Sequence, residues 1–272
     1  MGDTLDIALT APQERCLVAL KAVLEGRLAS LGPYESGLFN FYVRKLAHDA
    51  LLSQSDLQAL GILRARRGQF GRLWEIGPGV GQLSIMLALD GHQVVAVEHD
   101  ARRAAALAAT LEVLAGIDRP ARDRISVVEG SFPEVLGPDE SVERDAIVCL
   151  GCAFTAPEAR YRAFEAALSR FAVGVIDFAR LFVESTDRAD WRQRAVAYAS
   201  TYDADLSLVS AFHVPHVGKS GELFTIVPRK GQQAATRLFC TDPAVDPSPG
   251  TACIGSRAAT ARGDPCPPPV RS

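Results

Sequence analysis

The chain has 272 residues, of which 48% are hydrophobic and 22% charged, and its mean hydropathy is +0.08. That is enough apolar material for one large α/β unit with an appendage. A formal net charge of −3 argues against a protein whose affinity rests on nucleic-acid phosphates.

The first fifteen residues, MGDTLDIALTAPQER, lack the basic start and apolar core of a secretory leader. No apolar run approaches the ~20 residues that span a bilayer, so a cytoplasmic protein without membrane contact is expected. Six cysteines in 272 residues are too sparse for a disulfide scaffold, and they are expected to be reduced. The basic cluster Arg64-Ala-Arg-Arg67 reads as a solvated turn after a helix.

In chain order, residues 12–31 place Leu17, Leu20, Val23, Leu24 and Leu28 at helical spacing, with Gly32-Pro33 as the stop. A second helical pattern runs from about Ser36 to Leu60, through Leu38, Phe41, Tyr42, Leu46 and Leu51, with Gly61 as its break. Together these predict a helical N-terminal cap over residues 1–69. From Phe70 the rhythm changes to short apolar runs at 72–76, 93–98, 124–129, 145–150 and 172–178. Helical patterns separate several of them: 81–89 with Gly91 behind it, 100–115 with Asp100 as N-cap and Gly116 as stop, and 158–170. Strands alternating with helices of this length predict βαβ crossovers and a parallel sheet covered on both faces.

Leu206–His213 and Glu222–Val227 then read as two strands joined by a hairpin connection. The expected fold is α/β: a doubly wound, mostly parallel, seven-stranded sheet ending in an antiparallel hairpin, over residues 70–230. Residues 241–272 hold seven of the 16 prolines with balanced charge and no periodicity. The tail from 231 is therefore expected to be disordered.

The segment LWEIGPGVGQ (73–82) carries most of the chemistry. Glycines at 77, 79 and 81 follow an apolar strand and precede a helix. They let the backbone turn sharply and let a ligand approach main-chain atoms that a Cβ would block. The helix N-terminus beyond offers unpaired N–H groups. A G-x-G-x-x-G dinucleotide fingerprint would need its third glycine at position 82, which is Gln82. Glu75, ahead of the first glycine, would repel a pyrophosphate but suits a ligand carrying an ammonium group. Both features disfavour NAD and favour a zwitterionic amino-acid moiety.

EIGPGVG followed by VVAVEHD resembles the class I (Rossmann-like) S-adenosylmethionine-dependent methyltransferases, over residues of about 70–230. The resemblance implies S-adenosylmethionine as cofactor, with Glu75, Gly77, Pro78, Gly79 and Gly81 against its methionine part. It implies that Glu98 accepts the ribose hydroxyls and that His99 lies beside the adenine. The position after the third strand, acidic in the family, is Ser131 here, with Phe132 beside it. Leu150 and Gly151, after the fourth strand, would lie near the reacting methyl. The segment is also similar to that of the ribosomal RNA adenine dimethylases. Those enzymes carry an Asn-(Leu/Pro)-Pro-Tyr-type motif where this chain has Leu150-Gly-Cys-Ala153, which supplies neither an amide nor an aromatic face.

The expected reaction is therefore methyl transfer to oxygen or nitrogen of a small molecule, with nucleic acid disfavoured as partner. A nicotinamide-dependent oxidoreductase and a non-catalytic S-adenosylmethionine-binding protein are the alternatives. Cys149 of the Cys149-Leu-Gly-Cys152 pair is expected to be buried packing, with Cys152 near the pocket. No metal site is expected, since His213-Val-Pro-His216 reads as a solvated loop. Asp177 and Arg180 are substrate-contact candidates. No general base is assigned, because methyl transfer needs chiefly positioning in a desolvated pocket. Gly37–Tyr42 is expected either to line that pocket or to form a core or homodimer face.

Overall fold

The computed structural model describes residues 7–30, 42, 45–46, 51–137, 139–150, 158–177, 188–214 and 219–229. Its strands are β1 (Arg72–Ile76), β2 (Gln93–Glu98), β3 (Ile125–Glu129), β4 (Ala146–Cys149), β5 (Val173–Asp177), β6 (Ala204–Val214) and β7 (Lys219–Pro228). They form one sheet in the order β3-β2-β1-β4-β5-β7-β6. β1 to β5 pair in parallel, and β7 runs antiparallel to both β5 and β6. The expected doubly wound sheet with a terminal hairpin is thus the observed one.

The helices are α1 (Ala11–Ser30), α2 (Gln54–Ala65), α3 (Gln82–Leu89), α4 (Ala101–Ile117), the single turn α5 (Arg119–Arg122), α6 (Glu158–Leu168) and α7 (Arg188–Thr201). Side chains alternate across the strands, so the sheet has two apolar faces. Leu73, Val94, Ala96, Ala146 and Val148 pack with α1 to α4 in one cluster. Trp74, Ile76, Val95, Val97 and Ile147 pack with Phe164 and Leu168 of α6 and Tyr198 of α7 in the other. The N-terminal helices are therefore part of the sheet's first core: Cys16, Leu20 and Leu24 of α1 and Leu60 and Leu63 of α2 all belong to it.

Two glycines expected to stop helices lie inside them. α2 continues through Gly61 to Ala65, because Gly61 admits Ile7, against whose side chain a Cβ at 61 would collide. Gly116 is the penultimate residue of α4, which ends where Asp118 begins α5. The break in the second helical pattern falls instead at residues 51–53, where Ser53 and Asp56 form a reciprocal capping box that starts α2. The basic cluster is not simply solvated either. Arg64 reaches Asp90 through Nε at 2.9 Å and donates to Gln13 Oε1 at 3.1 Å, tying α2 to α1 and to the end of α3. The hairpin connection at 215–218 and the tail from 231 lie outside the described residues. Among the described residues no helix is long and apolar enough to cross a membrane.

Candidate functional site

β1 lies between β2 and β4, at the point where the chain order along the sheet reverses. Open α/β sheets form their ligand crevice beyond the strand ends at such a point. The residues leaving β1 there are Gly77-Pro-Gly-Val-Gly81. The N–H of Gly77 bonds to the carbonyl of Val97 at 2.9 Å, and that of Gly81 to Pro78 at 2.9 Å, which folds the turn back onto itself. Gly79 (φ +61°) and Gly81 (φ +81°) have left-handed backbones that a side chain would strain. Space is short as well. A Cβ at 81 would strike Leu107 of α4, and one at 79 would strike the hydroxyl of Tyr42.

Two buried acidic residues stand beside the turn, Glu98 at the end of β2 and Glu75 in β1. Glu98, the last residue of β2, accepts the N–H of Gly79 through Oε2 at 3.3 Å and that of Asp100 through Oε1 at 3.0 Å. Glu75 shares a face of β1 with Leu73 and so turns towards α2 and α3. There the Ser84 hydroxyl donates to its Oε2. Burial pushes the Glu75 carboxyl up to about 8, and the nearby Asp56 and Glu98 charges push the same way. Behind it, the buried Lys45 ammonium donates to Asp56 and to the Leu51 carbonyl, both at 3.1 Å.

The other expected residues are more scattered. Pro78 is buried within the turn, and His99 is 66% exposed at the rim, with Nδ1 3.3 Å from Glu98. Ser131 is half-buried, two residues beyond β3, and its carbonyl accepts the Val135 N–H at 2.9 Å. Phe132, expected beside Ser131 at the ligand, packs its ring in the second core, edge-on to Phe164 at 5.5 Å and tilted to Phe171 at 6.3 Å. Leu150 packs against the first core, and Gly151 lies outside the described residues. Cys149 is buried in the second core, as expected, while Cys152, Arg180 and His216 lie outside the described residues. Asp177 is buried at the end of β5, and His213 stands opposite Ser220 in the hairpin register. Among the described residues no group of three metal-ligating side chains comes together.

Sequence reasoning missed Ser84, Lys45 and Asp56, and also Gln82 and Arg103, whose Oε1 and Nε are buried without a hydrogen-bond partner. Ser84 and Gln82 leave one signal, as polar residues inside the otherwise apolar run QLSIML. The Ser53-x-x-Asp56 spacing is a second. Lys45 leaves none, because its partner is eleven residues away in a separate element.

Residues 44–226 match a family model described as the precorrin methyltransferase domain. No curated protein sequence matches the chain. Among solved structures, cofactor-bound Rv0187 from MTB is similar at 20% identity and a TM-score of 0.50, over 84% of this chain and 94% of that one. A putative O-methyltransferase from Klebsiella pneumoniae gives 19% identity and a TM-score of 0.46, over 82% and 92% of the two chains. A precorrin-6y C5,15-methyltransferase from Geobacter metallireducens GS-15 gives 14% and 0.45, over 63% and 88%. The family match spans well over half of the chain and the sheet order agrees with it: the chain belongs to the precorrin methyltransferase domain family and is a class I methyltransferase, an enzyme that uses S-adenosylmethionine.

Proposed function

We propose that the turn 77–81 and the two carboxylates beside it hold S-adenosylmethionine, and that the acceptor is a small molecule methylated on oxygen or nitrogen. The observation that carries this reading is the pairing of Glu98 with Gly79. It sets a buried acceptor next to main chain stripped of side chains, at the switch point of the sheet. The residues present fit the cofactor. The left-handed glycines at 79 and 81 keep the turn free of side chains of its own, and Gln82, next in the chain, leaves a buried Oε1 without a hydrogen-bond partner. A ligand with an ammonium group and vicinal hydroxyls satisfies acceptors of this kind.

In this reading Gly77, Pro78, Gly79 and Gly81 shape the methionine end, and Glu75 supplies the carboxylate for the ammonium. Glu98 accepts the ribose hydroxyls, while His99 and Ser131 flank the adenine. Leu150, with Gly151 beyond it, borders the space where the acceptor meets the methyl. When bound, the sulfonium supplies an electrophilic methyl to the acceptor's lone pair and leaves as a neutral thioether. The chain's own contribution is to hold that centre in an apolar surround and to orient the acceptor. No residue is assigned as general base.

A net charge of −3 and the sequence Leu150-Gly-Cys-Ala153, which holds neither an amide nor an aromatic side chain, favour a small acceptor over a nucleic-acid base. The family description names precorrin, so a precorrin belongs among the acceptors tried first, and methyl transfer to one of its carbons would refute the oxygen-or-nitrogen part of this reading. The test is a screen for transfer of labelled methyl from S-adenosylmethionine to hydroxylated, amine-bearing and tetrapyrrole compounds, beside RNA. Transfer to RNA alone would refute the small-molecule reading.

A further inference from the structure

Tyr42, Lys45 and Leu46 are helical and spaced i, i+3 and i+4, which sets them on one face. Lys45 is anchored to Asp56 and Leu51, and Leu46 packs against the first core. That anchorage puts the Tyr42 ring, only 9% exposed, against the glycine turn. Its hydroxyl accepts the N–H of Val80 at 3.3 Å, just ahead of α3. The same oxygen fills the space that a Cβ on Gly79 would occupy. Burial holds the phenol well above its ordinary pKa, with the Arg103 charge pulling the other way, so it stays neutral. The Nε of Arg103 is itself buried without a hydrogen-bond partner.

The volume opened by Gly79 and the N–H that leads into α3 are what a ligand's carboxylate would use, and Tyr42 holds both. We propose that the Tyr42 hydroxyl is an internal placeholder for the amino-acid end of the cofactor: it occupies the cradle in the ligand-free chain and withdraws when the cofactor's carboxylate takes the Val80 N–H. The inference rests on the cofactor reading above. It makes binding competitive with a contact inside the chain, which lowers the apparent affinity by the fraction of molecules with the cradle open. Arg103 is the cation towards which the incoming carboxylate would move.

The experiment measures the binding of S-adenosylhomocysteine and of methylthioadenosine, which lacks the amino-acid end, to the wild type, Tyr42→Phe and Tyr42→Ala. Tyr42→Phe keeps the ring and removes the bond to Val80. The proposal expects it to tighten S-adenosylhomocysteine roughly three- to tenfold, the worth of one neutral hydrogen bond, and to leave methylthioadenosine within about twofold. Unchanged or weaker S-adenosylhomocysteine binding would overturn the placeholder. So would an equal gain for both ligands, which means a general loosening, or a lowered melting temperature with both affinities unchanged, which means a structural role alone. If Tyr42→Ala binds S-adenosylhomocysteine and the wild type does not, the placeholder is supported. If neither protein binds either ligand, the cofactor reading falls and the placeholder with it.

Discussion

Glu98 and Gly79, nineteen residues apart, meet where the buried carboxylate of one accepts the backbone N–H of the other at 3.3 Å. The bond ties the end of β2 to the turn after β1, so one side chain both shapes the cradle and faces it. Removing it strands the Gly79 and Asp100 N–H groups and deletes the proposed ribose acceptor. Glu98→Ala should weaken S-adenosylhomocysteine at least about tenfold by calorimetry, and Glu98→Gln, which keeps one acceptor oxygen, by less. Unchanged affinity in Glu98→Ala would remove the cofactor from this turn.

Glu75 should make both stability and binding depend on pH. Burial pushes its carboxyl up to about 8 in the folded chain, from an ordinary carboxylate value of about 4.5. Between those values the folded state therefore holds a proton that the unfolded state has lost. Folding stability should fall as pH rises from about 5 to 8 and level off above, with a slope approaching about 1.4 kcal/mol per pH unit from this group. Glu75→Gln should flatten that slope in urea denaturation across the same window. If the cofactor's ammonium pairs with the Glu75 carboxylate, binding at pH 7 should release nearly one proton. Calorimetry in buffers of different ionisation enthalpy reads that number, and zero release would show that Glu75 does not meet the ammonium.

The strands were legible in the sequence because a parallel strand buried on both faces is a short unbroken apolar run. RLWEI and QVVAVE appear in the structure with the bounds their composition suggests. Helices were less so. α7 was missed because Arg188, Asp190, Arg192 and Arg194 break up its apolar rhythm; of its residues 192–201 only Ala195 and Tyr198 are buried. Gly61 was misread because whether a glycine stops a helix or admits a neighbour depends on Ile7, far off in sequence. The site divides in the same way. Its glycines and acids advertise themselves by spacing, but Ser84, Lys45 and Arg103 acquire meaning only once the fold brings them to the turn.

Asp145 should be a structural hinge of the sheet. It sits just before β4 and accepts the backbone N–H of Arg72 at 2.8 Å, Arg72 Nε at 2.9 Å and the indole N–H of Trp74 at 3.0 Å. Asp145→Ala leaves a buried indole donor and the first N–H of β1 unsatisfied, at a cost of about 3 kcal/mol. Asp145→Asn keeps one acceptor and should cost less. Denaturant melts with unchanged m-values check both, and a loss below about 0.5 kcal/mol for Asp145→Ala would show that water replaces the bonds.

The Lys45–Asp56 pair tests how Tyr42 is held against the turn. Both side chains are buried, at 2% and 7% exposure, and 3.1 Å apart. Asp56 also caps α2 by accepting the Ser53 N–H at 2.7 Å. Burying two charges is expensive, so the pair itself adds little, but leaving either charge alone is costly. Lys45→Met should therefore destabilise the chain by about 3 kcal/mol. Adding Asp56→Asn, which neutralises the stranded charge and still accepts from Ser53, should return most of that loss. A double-mutant cycle gives the coupling directly. Lys45 also anchors the face that carries Tyr42, so Lys45→Met should tighten S-adenosylhomocysteine as the phenol loosens from Val80. Destabilisation with no change in affinity would separate the anchoring of the segment from the occupation of the cradle.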